Sequence, residues 1–190
     1  MAIWKACSLV SCLLLARAES RDSAETYAVY SAILMIPPLS HLDQSKRYGI
    51  VETTLTAHDR IGAPHRACSA IPQVSSESLA QIDSDFEQHK NTAVRLKRAF
   101  SLPKPYVLLT SKQAEEFEER QGSPKMETDP PSLPPDPFPG IQDLVRVSDV
   151  YFDGAHRTAM VYVSAWCGLL CGLWGWHVLQ KNSRGDWEGT

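Results

Sequence analysis

The chain has 190 residues, of which 43% are hydrophobic and 22% charged, and its formal net charge at pH 7 is −3. This length and composition are those of an ordinary globular domain with enough apolar residues for a core. The slightly negative charge provides no field that would attract a polyanion, so a nucleic-acid partner is not expected.

The first eighteen residues have the pattern of a signal peptide. Lys5 is the only charge before an apolar run at 6–16, and Ala-Arg-Ala at 16–18 has the small-x-small form that signal peptidase accepts. Cleavage there would make Glu19 the first residue of a periplasmic or secreted protein. An alternative is a bacterial lipoprotein box that ends at Cys12, but its apolar run is shorter than the ~7–15 residues that are usual.

The residues between the signal peptide and position 122 predict three helices and two strands. Asp22 or Ser23 can cap the first helix and Ser75 the second, and Thr110 with Gln113 forms a capping-box pair before the third. The predicted elements are a helix at 23–35, a strand at 48–56, a helix from Ser75 to near Lys90, a strand at 106–109 and an acidic helix from Thr110 to Arg120.

A proline-rich segment separates these elements from the C-terminal part of the chain. Residues 122–140 contain seven of the thirteen prolines and show almost no apolar periodicity, which is typical of a loop or linker. The fifty residues that follow are too few to bury a sheet alone. The sequence therefore predicts a signal peptide at 1–18 and a single α+β domain at 19–190, with the proline-rich segment as an insertion.

Residues 144–187 predict an antiparallel β-meander. A β-branched and aromatic run at 145–152 is followed by Asp-Gly turn chemistry and by an alternating strand at 158–166. Both sets of alternating residues at 158–166 lack charge, which predicts a central strand that is covered on both faces. A further strand at 175–179 and a short one from Trp187 complete the sheet, and the N-terminal helices are expected to cover one face of it.

The same region allows an alternative as a membrane-spanning helix. Residues 158–180 contain no Asp, Glu, Lys or Arg, and they are long enough to cross ~30 Å of hydrocarbon as a helix. That helix would place Trp166, Trp174 and Trp176 near the middle of the bilayer, although tryptophan is enriched at the interfaces. The strand and turn pattern also continues into this region without a break, so a sheet is favoured.

Signal-peptide cleavage would leave three cysteines, Cys68, Cys167 and Cys171, in an oxidising compartment. At most one disulfide can form within the chain, and one thiol remains. Cys167 and Cys171 flank the turn of a predicted hairpin, which could bring their Cα atoms within the ~4.4–6.8 Å that a disulfide requires. Alternatively, both are small buried hydrophobic residues beside a glycine-rich turn.

The C-terminal pattern resembles an uncharacterised family of bacterial exported proteins, and the residues that carry the likeness are VYFDGAHRTAMVYVSAWCGLLCGLWGWHVLQKNSRGDW. The shared features are a hairpin, Cys-Gly-x-Leu-Cys-Gly, a strand that ends near a lysine, and Gly-x-Trp. The likeness covers about the last fifty residues, with SLPKPYVLLTS as a mid-chain match. It implies export and an α+β fold, and it implies no activity.

Signatures of common enzymes and cofactor sites are absent from the sequence. It has no GxGxxG, Walker loop, HExxH or GxSxG motif, so no cofactor is expected. A metal site built from Cys68, Cys167, Cys171 and His177 is disfavoured, because CxxxC is not the usual zinc spacing.

An enzyme remains the alternative to a binding domain. It would be a thiol-redox protein using Cys167 and Cys171, or a hydrolase in which Cys68 acts with His58 or His65. A reactive dithiol usually lies at a helix N-terminus, whereas Cys167 and Cys171 lie in a strand connection.

Trp166, Trp174 and Trp176 surround the cysteine-containing turn and form the candidate binding surface. Large aromatic side chains are highly buried on average, which favours a core role. Trp174 and Trp176 share a parity, so they face the same side of a strand, and if exposed they would offer an aromatic platform to a glycan, a peptide or a partner protein. The sequence therefore predicts an exported, non-enzymatic domain that uses this Trp/Cys turn.

Overall fold

A computed structural model describes residues 23–36, 47–64, 74–122, 136–167 and 172–189 of the chain. Three α-helices and a seven-stranded mixed sheet make up this part of the chain, which confirms the predicted α+β class. The elements are α1 (Ala24–Leu34), β1 (Tyr48–Val51), a 3-10 turn (Ala57–Asp59), α2 (Ser76–His89), β2 (Tyr106–Leu109), α3 (Ser111–Gly122), β3 (Leu144–Val147), β4 (Tyr151–Phe152), β5 (Thr158–Trp166), β6 (Gly172–Lys181) and β7 (Trp187–Gly189).

The strands lie in the order β2-β1-β3-β5-β6-β7, and β4 pairs with β5. The C-terminal strands pair antiparallel, as the meander predicts. The two N-terminal strands join the same sheet, and β1 is parallel to both β2 and β3. Parallel strands require crossover connections, which α2 and α3 provide here.

Helices cover both faces of the sheet, whereas the sequence predicts that they cover one, so the strands are enclosed between two layers. On one face, which we call the α1 face, helix α1 and the odd-numbered residues of β5 belong to a single buried cluster. On the opposite face, α2 packs near Met160 of β5, and Phe117 of α3 packs near Leu144 of β3. Strand β5 is therefore central and covered on both faces, as its uncharged alternation predicts.

The predicted helix caps are present. The Oγ atoms of Ser23 and Ser75 accept hydrogen bonds from backbone N–H groups three residues later, each at 3.1 Å. Thr110 and Gln113 exchange side-chain and backbone hydrogen bonds at 2.9 and 3.2 Å. These contacts satisfy N–H groups that a helix leaves unpaired at its start, so each helix begins where the sequence predicts.

The alternative of a helix at 158–180 is wrong. Residues 158–166 and 172–180 are paired strands in one antiparallel register, from Thr158 opposite Gln180 to Trp166 opposite Gly172. The side chains alternate with the two-residue period of a strand, and neighbouring strands form hydrogen bonds with the backbone of each one. Within the described ranges, none of the helices has the length and apolar character needed to cross a bilayer. Strand β6 is longer than the predicted 175–179, and most of the proline-rich segment lies outside the described residues.

A β-bulge divides the strand that the sequence predicts at 145–152. Val147 pairs with Val163 and Tyr151 pairs with Met160, so the three residues 148–150 face only two on β5. Ser148 N–H donates to Tyr162 O at 2.8 Å, and the Ser148 hydroxyl accepts from Tyr162 N–H at 2.9 Å. The hydroxyl thus replaces a backbone carbonyl in the ladder. Ser148 O in turn accepts from Tyr30 Oη at 2.9 Å, which links the bulge to α1.

Replacing Ser148 with alanine should destabilise the protein by about 1–3 kcal/mol, because the Tyr162 N–H would lose its acceptor next to the core. The measurement is the free energy of unfolding in urea. Ser84→Ala on the exposed surface of α2 is the matched control and should change stability little. Equal effects of the two substitutions would show that the bulge does not depend on the hydroxyl.

Candidate functional site

Four aromatic side chains of β5 and β6 lie on the sheet face that α2 and α3 cover. They are Tyr162, Trp166, Trp174 and Trp176, and we call them the aromatic surface. Tyr162 is paired with Trp176, Ser164 with Trp174, and Trp166 with Gly172. The pairing places these residues side by side on two neighbouring strands, and alternation puts them all on one face.

Two of the tryptophans are held against the helices. Trp176 contacts Phe86 of α2 edge-on, with ring centroids 5.7 Å apart, and its Nε1–H donates to Ile61 O at 3.1 Å. Trp166 contacts Phe117 of α3 edge-on at 5.8 Å. Both are only half-buried, so they pack on the core and still reach the surface. The core role that the sequence favoured therefore applies to them in part.

Trp174 lies between these two anchored residues and is 72% exposed. Its ring leans over Gly172, where an added Cβ would lie 3.3 Å from Trp174 Cζ3. Leu173, the preceding residue, is 38% exposed and points to the opposite face. The beginning of β6 thus exposes large apolar side chains on both faces of the sheet.

A polar group lies beside the aromatic surface on the same face. Arg146 of β3 is paired with Ser164 of β5, and its Nη1 lies 2.6 Å from Glu118 Oε1 of α3. The two charged side chains are 23% and 32% exposed, respectively. Their charges compensate each other, so this part of the aromatic surface carries no net charge.

The roles that the sequence predicts for the cysteines remain predictions. Cys167 follows β5 and packs at the cluster on the α1 face, the side opposite the aromatic surface. Cys68, Cys171 and His65 lie outside the described residues, so neither the candidate disulfide nor a Cys68–histidine pair can be located. In the described ranges, no three His, Cys, Asp or Glu side chains are grouped as metal ligands would be.

His177 and His58 are the two described histidines of the predicted enzyme and metal sites. Burial in β6 lowers the pKa of His177. His58 lies in the 3-10 turn, far along the chain from the aromatic surface. Neither histidine is placed among the residues of the aromatic surface.

A cleft of about 730 Å³ lies elsewhere, between the start of α2 and the turn that joins β4 to β5. Its central carboxylate, Asp153, is 4% exposed and accepts from the N–H groups of Arg157 and Thr158 at 2.8 and 3.2 Å and from Ser78 Oγ at 3.2 Å. Burial opposes ionisation, but these hydrogen bonds outweigh it and lower the pKa of Asp153. The carboxylate is therefore used to fasten the turn to α2.

A second set of polar contacts beside the cleft joins α1 to the sheet. Glu25 of α1 contacts Lys181 of β6 and His156, whose Nδ1 lies 3.0 Å from the carboxylate. Burial raises the pKa of Glu25, but its hydrogen bonds to Lys181 and His156 dominate and lower it. The sequence does not predict this cluster, because Glu25 lies more than a hundred residues from both His156 and Lys181, and the three share no local pattern. These contacts give the cleft a structural role.

Comparison with protein-family models, with curated proteins and with solved structures finds no match to this chain.

Asp153→Asn should destabilise the protein by about 1–3 kcal/mol near neutral pH, since it removes the charge from a buried, hydrogen-bonded carboxylate. The lowered pKa stabilises the folded state above the carboxyl's unfolded value of about 3.9, and this stabilisation is lost as pH falls through the folded pKa. Urea unfolding at a series of pH values measures the difference. Asp186→Asn, in the exposed turn between β6 and β7, is the control. A difference that does not shrink in acid would contradict this explanation.

Proposed function

We propose that the protein is an exported, non-enzymatic domain that binds a partner through the aromatic surface. The observation that carries this proposal is the exposure of Trp174, which is 72% exposed although it belongs to a paired strand. An exposed tryptophan next to further half-buried aromatic rings offers a large apolar contact area at a low entropy cost. Interfaces concentrate their binding energy in such residues.

The chemistry of the aromatic surface favours binding over catalysis. Its charged neighbours, Arg146 and Glu118, are paired with each other, whereas a general base or nucleophile must be able to reach a substrate. Cys167 belongs to the opposite face of the sheet.

Export and membership of the bacterial exported family are part of the same proposal. The support is the signal-peptide pattern at 1–18 and the C-terminal likeness. An oxidising compartment would allow the Cys167–Cys171 disulfide. The register of β5 and β6 supports this proposal, because the two cysteines would lie opposite each other if it continued by one residue beyond Trp166 and Gly172. Directly opposed Cα atoms in a hydrogen-bonded pair are ~5.5 Å apart, within the range for a disulfide.

Thiol titration of the denatured, non-reduced protein purified from the exporting host should find one free cysteine, Cys68, and mass spectrometry should find Glu19 as the first residue. Cys68→Ser should leave no free thiol, whereas Cys167→Ser should expose Cys171 and give two. Closing so short a loop contributes about 2 kcal/mol in the chain-entropy model, so Cys167→Ser should also unfold at lower urea concentration. Three free thiols in the wild-type protein would refute the disulfide.

Binding should depend on Trp174 and not on its neighbour Leu173. We expect an array of immobilised oligosaccharides and extended peptides to contain members that bind the mature protein. Trp174→Ala should weaken this binding about tenfold or more, the change that corresponds to about 1.4 kcal/mol. Leu173→Ala, which removes an exposed apolar side chain from the opposite face, should keep it. Both variants should fold normally, as circular dichroism can verify. Equal binding by the two variants would refute the proposed surface.

A further inference from the structure

We propose that the partner is an extended, uncharged polypeptide segment that adds to the sheet as a strand along the outer edge of β6, at Gly172–Trp176. This inference rests on the proposed function, since Trp174 would flank the added strand. Three observations support it. The outer side of the first part of β6 pairs with no described strand, the backbone groups there point outward, and the residues along this edge carry no charge.

Among the described residues, the first half of β6 has a strand on one side only. Strand β5 pairs with β6 from Gly172 to Gln180, whereas the described part of β7 pairs with residues 179–181. Residues 172–176 of β6 therefore form an edge of the described sheet, although β6 is an internal strand at its other end. Edge strands offer unpaired backbone groups that can bind another strand.

The backbone hydrogen bonds show which residues face this edge. Lys181 N–H donates to Arg157 O next to β5 at 2.9 Å, and Asn182 N–H donates to Asp186 O on the β7 side at 2.9 Å. Direction alternates along a strand, so odd-numbered residues of β6 bond to β5 and even-numbered ones point outward. The N–H and C=O groups of Gly172, Trp174 and Trp176 thus point away from β5, and no residue of the described chain bonds to them.

The sequence of this edge lacks the residues that natural proteins use to block strand addition. Such residues are charged, especially lysine, or proline. Residues 172–180 contain no Asp, Glu, Lys, Arg or Pro. An added Cβ at Gly175 would meet no described residue within 4 Å, so the described part of the chain leaves the α1 face open at this position as well.

The same features define the chemistry of the occupant. An uncharged extended segment would pair with the backbone of Gly172, Trp174 and Trp176 and would desolvate no unpaired charge. Its alternate side chains on the face of the aromatic surface would lie beside Trp174, whose exposed ring would select apolar residues. Backbone hydrogen bonds would provide the rest of the affinity. Stacking of a glycan on Trp174 would leave these backbone groups unpaired.

Two substitutions at one position distinguish the contribution of the backbone to binding from that of the side chain. Trp174→Ala and Trp174→Pro both remove the indole, but only proline removes the outward N–H, and proline is tolerated in a strand where its missing N–H would face solvent. The probes are an uncharged alternating peptide, acetyl-(Thr-Val)3-Thr-amide, and the same peptide with N-methylated valines. Binding is measured by isothermal titration and by amide hydrogen exchange of the mature protein, and folding of both variants is checked by urea unfolding.

In the free protein, the amides of Trp174 and Trp176 should exchange faster than those of Leu173 and Gly175, which bond to β5. The unmethylated peptide should protect Trp174 and Trp176, the methylated peptide should bind at least about tenfold more weakly, and Trp174→Pro should bind more weakly than Trp174→Ala. No binding of the peptide at about 1 mM, or equal binding by the two variants, would overturn the inference.

Other occupants give different results. Trp174-dependent binding of chitohexaose or cellohexaose with no added amide protection would overturn strand addition and leave the proposed function standing. A dimer of the protein alone that Trp174→Pro dissociates would identify a second copy as the occupant and would also overturn the inference. Binding that is independent of Trp174 would remove the proposed function itself.

Discussion

The pairing of β5 with β6 is the interaction on which the rest of the structure depends. Nine residue pairs run in one register from Thr158 to Trp166, and β3 and β4 bind the other side of β5. This register decides which side chains reach the α1 face and which reach α2 and α3. If β5 shifted by one residue relative to its neighbours, its two faces would exchange, moving Val161 and Val163 out of their cluster and Trp166 into it. The core and the aromatic surface are therefore specified together.

The bulge at Ser148 and the contacts of Glu25 and Asp153 connect the paired strands to the helices on the two faces of the sheet. At the bulge, Ser148 completes the ladder to Tyr162 and also binds Tyr30 of α1. Asp153 fastens the β4–β5 turn to α2, and Glu25 fastens α1 to the end of β6. In each case a polar group near the core has a specific partner, which offsets the cost of removing it from water. The contacts of Asp153 and Glu25 lie at the end of the sheet away from Trp174.

The opposite end of β6 has a different character. There the strand extends beyond β7, exposes Leu173 and Trp174 on its two faces, and carries no charge from Gly172 to Gln180. Exposed apolar residues beside backbone groups that no described residue binds make an edge prone to pair with another chain, which is a reason to expect a partner. The paired charges of Arg146 and Glu118 limit the field that this region presents. The combination suits a neutral partner.

The sequence by itself determined the local structure: where α1, α2 and α3 begin, the limits of β2 and β5, and the common face of Trp174 and Trp176. These features follow from caps and from alternation, which involve residues only a few positions apart. Only the tertiary structure decided that β1 and β2 join the C-terminal sheet in parallel and that Glu25 meets Lys181. It also decided that Trp176 is half-buried while Trp174 is exposed. The two tryptophans have the same parity, and their burial differs because Phe86 of α2 covers one of them. The position of that helix depends on contacts between distant residues, which no local pattern records.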